Sequence, residues 1–391
     1  MKLNRAIIGL CLCVPLAVAY FGSGSAGAAQ VSFVKHDIGN FRSEACGVAD
    51  FNGDGKMDVI AGPYLYLAPD WQRIKVRDIG GNVDENGKGY YHDFANLPLD
   101  VNRDGSPDLV SFGWFTQKIS WFENSLGVGE GPWPQTVADE NGHYEMGRLV
   151  DIDGDGKKQE VLPHPRNTVW YEVADDGGLV KHVVSEKKMP FGAGVGDVNG
   201  DGRRDLLRPT AWFEAPENLR EGEWKEHPWS LGAKNGKAVH TADIHVLDVN
   251  DDGHNDVIAS NAHGYGIFWY EQKLNDGNRE WIQHTIDDSW SQAHSLQLAD
   301  MDNDGDLDLV TGKRFYAHGG KDPGGDEPCG VYWYELRPGR QSPWKKHTIT
   351  YDQGIGTSLS TPVADMDDDG DKDIVVTGKW GGPVWFENQL K

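Results

Sequence analysis

Cysteine is scarce, with four in 391 residues, and Cys11 and Cys13 fall in the apolar N-terminal stretch. The other two, Cys46 and Cys329, are too few for a disulfide scaffold or a four-thiolate zinc site. They sit in the first and sixth of the repeats described below and read as two isolated thiols. Basic residues are in deficit as well, 37 Lys and Arg against 61 Asp and Glu, for a net charge of −24. A field of that sign excludes nucleic acid and anionic lipid as partners. After Phe21 no apolar run is long enough to span a bilayer, which excludes membrane insertion.

Residues 1–29 have the form of a secretory signal peptide: Lys2 and Arg5, an apolar run from Ala6 to Phe21, then Ala26-Gly-Ala28. The expectation is an exported chain, periplasmic or extracellular, whose mature part is residues 30–391. Losing Lys2 and Arg5 takes the net charge to −26.

What is abundant is acid in a fixed pattern. The nonapeptide Asp-x-(Asp/Asn)-x-Asp-Gly-x-x-Asp recurs seven times, with gaps of 50, 51, 46, 51, 52 and 65 residues. Its oxygen-bearing positions are Asp50, Asn52, Asp54 and Asp58; Asp100, Asn102, Asp104 and Asp108; Asp151, Asp153, Asp155 and Glu160. The later copies give Asp197, Asn199, Asp201 and Asp205; Asp248, Asn250, Asp252 and Asp256; Asp300, Asp302, Asp304 and Asp308; and Asp365, Asp367, Asp369 and Asp373. Hard oxygen ligands at alternate positions, with a glycine for the sharp turn, suit a small Ca²⁺ loop. Up to seven structural calcium ions are expected, and seven would cut the charge to about −12. In the third copy the closing acid, Glu160, comes one residue late, so that site is expected to be the weakest or distorted. Strand-like pairs follow the loops where an EF-hand would have a helix.

Self-similarity at about 50 residues marks a propeller or solenoid. Each period reads as four short strands, the third aromatic (Trp121-Phe-Glu123, Trp170-Tyr-Glu172, Trp212-Phe-Glu214, Trp269-Tyr-Glu271, Trp333-Tyr-Glu335, Trp385-Phe-Glu387). The fold expected is all-β, a seven-bladed β-propeller with a calcium loop in each blade. The seventh copy stops at its third strand, while Val31–Ile38 has the fourth-strand pattern. The N-terminal strand is therefore expected to complete that blade and close the ring; an open solenoid is the other arrangement such a repeat permits.

Function is sought where the chain departs from its own repeat. Five of the 14 histidines (His36, His182, His227, His284, His347) recur at one fourth-strand position and are explained by the repeat, and His254 lies inside an acidic loop. Of the rest, His92, His143, His240 and His294 precede first strands, and His164, His263 and His318 fall between second and third strands. Topology places both sets at the mouth opposite the acidic loops, with His245 inside a first strand. The same counting brings Arg42, Glu44, Asp93, Glu145, Asp243 and Lys379 to that face. So it does the longest irregular connection, Lys313–Gly330, with Lys313, Arg314, Tyr316 and His318. Long charged loops on a rigid scaffold commonly grip substrates.

Several stretches carry a resemblance: Ala49-Asp-Phe-Asn-Gly-Asp-Gly55, Tyr90-Tyr-His-Asp-Phe94, Leu97-Pro-Leu-Asp100 and Lys313-Arg-Phe-Tyr-Ala-His318. The acidic loops resemble FG-GAP/VCBS repeats, and nearly the whole mature chain resembles the propeller domain of aldos-2-ulose dehydratase. The resemblance implies removal of water beside the carbonyl of a keto-sugar such as 1,5-anhydro-fructose. The cupin portion of the fungal enzyme is missing here, which puts a second, isomerising step in doubt.

Such an elimination needs a base, an acid for the leaving oxygen, and positive charge on the enolate. His92, His143, His240, His263, His294, His318 and Tyr316 are the candidate acid–base groups. Lys313, Arg314 or a divalent metal held by the rim histidines are the candidate enolate stabilisers. Two other readings fit the same residues: a polysaccharide lyase acting on uronate glycans, and a non-catalytic propeller of integrin or lectin type that binds glycan or protein.

Overall fold

The computed structural model describes residues 31–126, 132–140, 142–232 and 237–391; the expected signal peptide lies outside them. The protein is an all-β propeller whose one helical element among the described residues is a 3₁₀ turn at Ala317–Gly319. Among the same residues no helix is long and apolar enough to cross a membrane.

The strands are short because each apolar run is cut by an acidic loop or a turn. The second repeat shows the pattern: Ala95–Leu99, Asp108–Phe112, Lys118–Phe122 and Gln135–Glu140 pair antiparallel in chain order. Its second strand is buried throughout and its fourth is exposed or half-buried, so burial falls from the axis outward. There are five four-stranded sheets, one eight-stranded sheet and a two-stranded ribbon, Gly81–Val83 with Gly89–Tyr91. The eight-stranded sheet consists of two such meanders joined by a parallel contact between Ala193–Gly196 and Asp243–Leu247. That contact needs glycine, since a Cβ at Gly194 would meet Ile244 O at 1.9 Å. The N-terminal strand Phe33–Asp37 pairs antiparallel with Gly381–Asn388, Phe33 opposite Asn388 and Asp37 opposite Val384.

Cores form between neighbouring sheets, as where Val110, Phe112 and Ile119 pack against Val161, Val169 and Tyr171. The apolar second residue of each acidic loop (Phe51, Val101, Ile152, Val198, Val249, Met301, Met366) is buried, anchoring the loop to these cores. The closing acid anchors it a second time. Asp58 accepts the amides of Phe51 and Ala68, and Asp108 those of Val101 and Asn124. Asp205, Asp256, Asp308 and Asp373 make the same two bonds.

The third loop keeps the anchor in altered form. Glu160 Oε2 accepts the Ile152 amide at 2.9 Å, so the extra methylene of glutamate absorbs the extra residue. Asp151 still accepts the amides of Gly154 and Gly156, but the Asp155 amide goes to Asp153 and not to Asp151, where in the other six loops the equivalent amide bonds the first acid.

The five repeat histidines also have a shared structural role. Each lies opposite a tryptophan of the third strand, stacked at 4.0–4.4 Å between ring centroids. Each places Nε2 2.5–2.9 Å from the glutamate two residues past that tryptophan. Cys46 and Cys329 are both buried free thiols, as the spacing suggested.

Candidate functional site

Strand starts and second-to-third connections deliver the polar groups of the site. Glu145 precedes Gly147–Val150, His240 precedes Asp243–Leu247, and His294 opens Ala293–Ala299. His263 lies in the turn before Tyr265–Asn275, while Arg314 follows Asp308–Lys313 and leads into the 3₁₀ turn holding His318. That turn is strained: Tyr316 and His318 have φ of 51° and 49°, left-handed values that non-glycine residues rarely adopt. It is tied down by the His318 amide, which donates to Tyr90 Oη at 2.8 Å.

Together they line a cavity of about 320 Å³. One wall is aromatic, made by Tyr90, Phe94, Trp114, Phe115 and Phe191, and the rest is polar: Glu145, Arg166, His240, His263, Arg314 and His318. Phe115 stands at the rim, 46% exposed. Arg166 packs over Phe191 and has no ion pair among the described residues.

The floor is a cluster of imidazoles on one carboxylate. His263 contacts His240, His294 and His318 with ring centroids 5.0, 5.2 and 4.6 Å away. Its Nε2 lies 3.2 Å from Glu145 Oε1, and His294 Nε2 is 4.0 Å from the same oxygen. His294 is fully buried; its Nδ1 is 3.2 Å from Gln292 O, and its Nε2 has no hydrogen-bond partner. Donation from Nδ1 to that carbonyl leaves a bare Nε2 lone pair aimed towards a carboxylate oxygen. Burial, then Arg314 and His263, hold His294 well below the usual histidine range, so it is neutral near pH 7. Burial works to raise the Glu145 carboxyl, but the His263 hydrogen bond and charge, with Arg314 and His318, outweigh it and bring it to about 2. Ligand atoms of Glu145, His263 and His294 all lie within 4.8 Å of one another.

Two further histidines have fixed orientations. His318 Nδ1 is 2.6 Å from Asp322 Oδ2, which turns its Nε2 away from that carboxylate. His240 Nδ1 accepts the Phe191 amide at 3.0 Å, which leaves its Nε2 carrying the hydrogen. Arg314 is buried and gripped by Glu44 at 3.1 and 3.2 Å, while its Nη1 has no hydrogen-bond partner and faces Glu145 at 3.9 Å. Burial opposes the Arg314 charge, but Glu44 more than compensates and keeps it cationic.

The other candidates lie elsewhere. His92 stacks on Phe115 and lines a separate small cavity, and His143 is exposed against Trp114. Lys313 is buried, its Nζ donating to Ser291 Oγ at 2.8 Å and Gly324 O at 2.5 Å, so it braces the long connection. Tyr316 gives its carbonyl to Lys379 and its ring is not in the cavity wall. His164 is buried 3.9 Å from Asp243, and His245 is bonded to Leu296 O, both away from the cavity. Glu44 grips Arg314 and lies 3.9 Å from Lys379, and Asp93 and Asp243 are paired with Arg77 and Arg148. Arg42 reaches the carbonyls of Lys379 and Glu85. Trp114, Phe115, Phe191 and Arg166 had no distinguishing signal in the sequence, whereas Tyr90 and Phe94 lie in one of the quoted stretches and Asp322 in the long connection.

Residues 248–311 match the model of a family described as FG-GAP-like repeat. The chain carries an FG-GAP-like repeat. No curated protein matches its sequence. Among solved structures it is similar to BBS1N, crystallised in complex with ARL6DN (10% identity, TM-score 0.52, covering 93% of this chain and 97% of that one). It is also similar to the V. cholerae biofilm matrix protein Bap1 (10% identity, TM-score 0.46, 89% and 88% coverage). A third similar structure is rhamnogalacturonan lyase YesW (12% identity, TM-score 0.45, 92% and 74% coverage). At 10% identity the likeness to BBS1N is one of fold alone.

Proposed function

We propose that this chain is an exported, calcium-stabilised propeller whose histidine-lined cavity is a carbohydrate lyase or dehydratase centre, eliminating an oxygen substituent beside a carbonyl. On this reading the eight-stranded sheet is two blades in contact, which gives seven in all. The pairing of Phe33–Asp37 with Gly381–Asn388 supports closure of the ring.

The loop carboxylates fit calcium by their chemistry. Asp151, Asp153 and Asp155 form one tight group, as do Asp300, Asp302 and Asp304, and Asp365, Asp367 and Asp373. These are the three copies with aspartate at the third position; the other four place an asparagine there. Burial, reinforced by neighbouring loop acids against the backbone hydrogen bonds, pushes Asp205, Asp256 and Asp373 up to about 7. A divalent cation relieves that repulsion.

The observation that carries the catalytic reading is the convergence of Glu145, His263 and His294 on one point beneath an aromatic wall. The bare, buried Nε2 of His294 fits a metal ligand, and Glu145 and His263 complete a three-ligand set with a Zn²⁺- or Mn²⁺-compatible donor composition. Such a metal would supply Lewis acidity to a substrate oxygen. The chain's own groups cover the rest. His318, oriented by Asp322, is the base; His240 presents an N–H to the leaving oxygen; Arg314 Nη1 offers positive charge to the developing enolate. The aromatic wall suits the apolar face of a sugar ring.

The test is metal analysis after mild chelation, with absorbance assays for a conjugated enone or an unsaturated uronate across 2-keto sugars and acidic glycans. His263→Ala and His318→Ala should each lower turnover by about 10²–10⁴-fold while the protein stays folded. A wild type that yields neither chromophore, yet binds a glycan as well after His263→Ala, would replace the catalytic reading with that of a binding propeller.

A further inference from the structure

A second cavity, of about 300 Å³, lies where the first strands of four successive units converge beside the third acidic loop. It is unlike its surroundings in charge. In a chain with a net charge of −24, Arg148, Lys158 and Arg204 all line it, with Asp151 as its single acid. Arg204 pairs loosely with Asp151 at 3.4 Å. Arg148 is held by Asp243 and by Leu296 O, but its Nε is buried without a partner. Lys158, at the rim, makes no hydrogen bond or ion pair among the described residues.

The cations also repel one another. Burial, then Arg148, push His245 down to about 3 against its bond to Leu296 O, with Lys158 adding to the push, so this imidazole is neutral and lends no charge. Lys158 belongs to the insertion that makes the third acidic loop one residue longer than the other six. That insertion thus places an unpaired ammonium at this opening.

We infer that this cavity binds a tetrahedral oxyanion, sulfate or phosphate, either free or as the charged group of a larger ligand. Lys158 and Arg204 would contact its oxygens, with the Arg148 guanidinium lending positive charge from the cavity wall. The site is separate from the histidine cavity and does not depend on any catalytic role there.

Calorimetric titration of the full mature chain with sodium sulfate, in calcium-containing buffer of constant ionic strength, tests this directly. Sulfate should give saturable binding and raise the melting temperature above that in an equal ionic strength of chloride. Lys158→Gln should weaken binding about tenfold, the change expected for one lost charge-assisted hydrogen bond, and leave the melting temperature in chloride unchanged. Arg204→Gln should weaken it similarly. A monosaccharide sulfate binding more tightly than the free ion would mark a group on a larger ligand as the occupant; equal affinity would mark the free ion. No saturable heat, or undiminished affinity in both variants, would overturn the proposal.

Discussion

Asp308 separates two roles that the acidic loops combine. It is 1% exposed and accepts the amides of Met301 at 3.1 Å and Leu336 at 2.8 Å, joining the loop to the end of the third strand of its own sheet. Asp308→Ala strands both donors inside the protein, at about 1–3 kcal/mol each, so roughly 2–6 kcal/mol in all. The lower half of that range is the expectation. Burial, with Asp302 and Asp304 adding and the two amides opposing, pushes this carboxyl up to about 8, so its removal also relieves the cost of burying it. At an unfolding entropy of about 2 cal/mol/K per residue, the melting temperature should fall by roughly 3–5 °C. Scanning calorimetry should find that loss in excess chelator as well as in calcium. Asp302→Ala is the contrast. Asp302 lies in the group with Asp300 and Asp304, and its removal should matter in calcium and hardly at all in chelator. If Asp308→Ala melts with the parent protein in chelator, the backbone-anchoring role is wrong and the residue is a metal ligand alone.

Three other outcomes are expected. Chelation of the wild type should lower its melting temperature markedly, because calcium bound only to the folded state stabilises it by mass action; an unchanged melt would remove calcium from the loops. Deleting Val31–Ile38 should expose the edge of Gly381–Asn388 and promote aggregation on size-exclusion chromatography, whereas a monomer of equal stability would contradict the pairing. Acid should also destabilise the fold. Burial works against ionisation of Glu172, Glu271 and Glu335, but their Arg, Lys and His partners outweigh it; for Glu214 the His227 hydrogen bond leads. All four carboxyls are held below the usual range. Their contribution is complete above the unfolded glutamate value near 4.3 and is lost as pH falls through the folded values, so urea midpoints should drop below about pH 4.

The repeat was legible because its punctuation is chemical: an acid, a glycine and a buried apolar residue at fixed offsets leave the chain few alternatives. The face bearing the site followed from the same regularity, since short strands of even length send their starts to one end. Which side chains meet there was harder to read. His92, His143 and His240 stand at equivalent positions and each packs on an aromatic ring, yet of the three His240 alone meets His263, because a first strand's place around the axis decides its neighbours. Lys313 and Arg314 are adjacent, and strand alternation sends one into the long connection and the other to the cavity. Asp322 was hidden in an irregular stretch with no period to count by.

The pairing of Phe33–Asp37 with Gly381–Asn388 puts the two ends of the folded chain side by side, with the Gln389 amide donating to Ser32 O at 2.7 Å. The order in which the sheets are encoded is therefore close to arbitrary. A few linking residues between Lys391 and Val31 would make the polypeptide continuous, and a new start could be cut in an exposed connection between sheets, such as the stretch after Arg337. Such a circular permutant should keep both cavities, because neither is lined by residues near the original ends. The same geometry directs anything fused at either end out from the acidic-loop face, beside the seventh loop and opposite the histidine cavity.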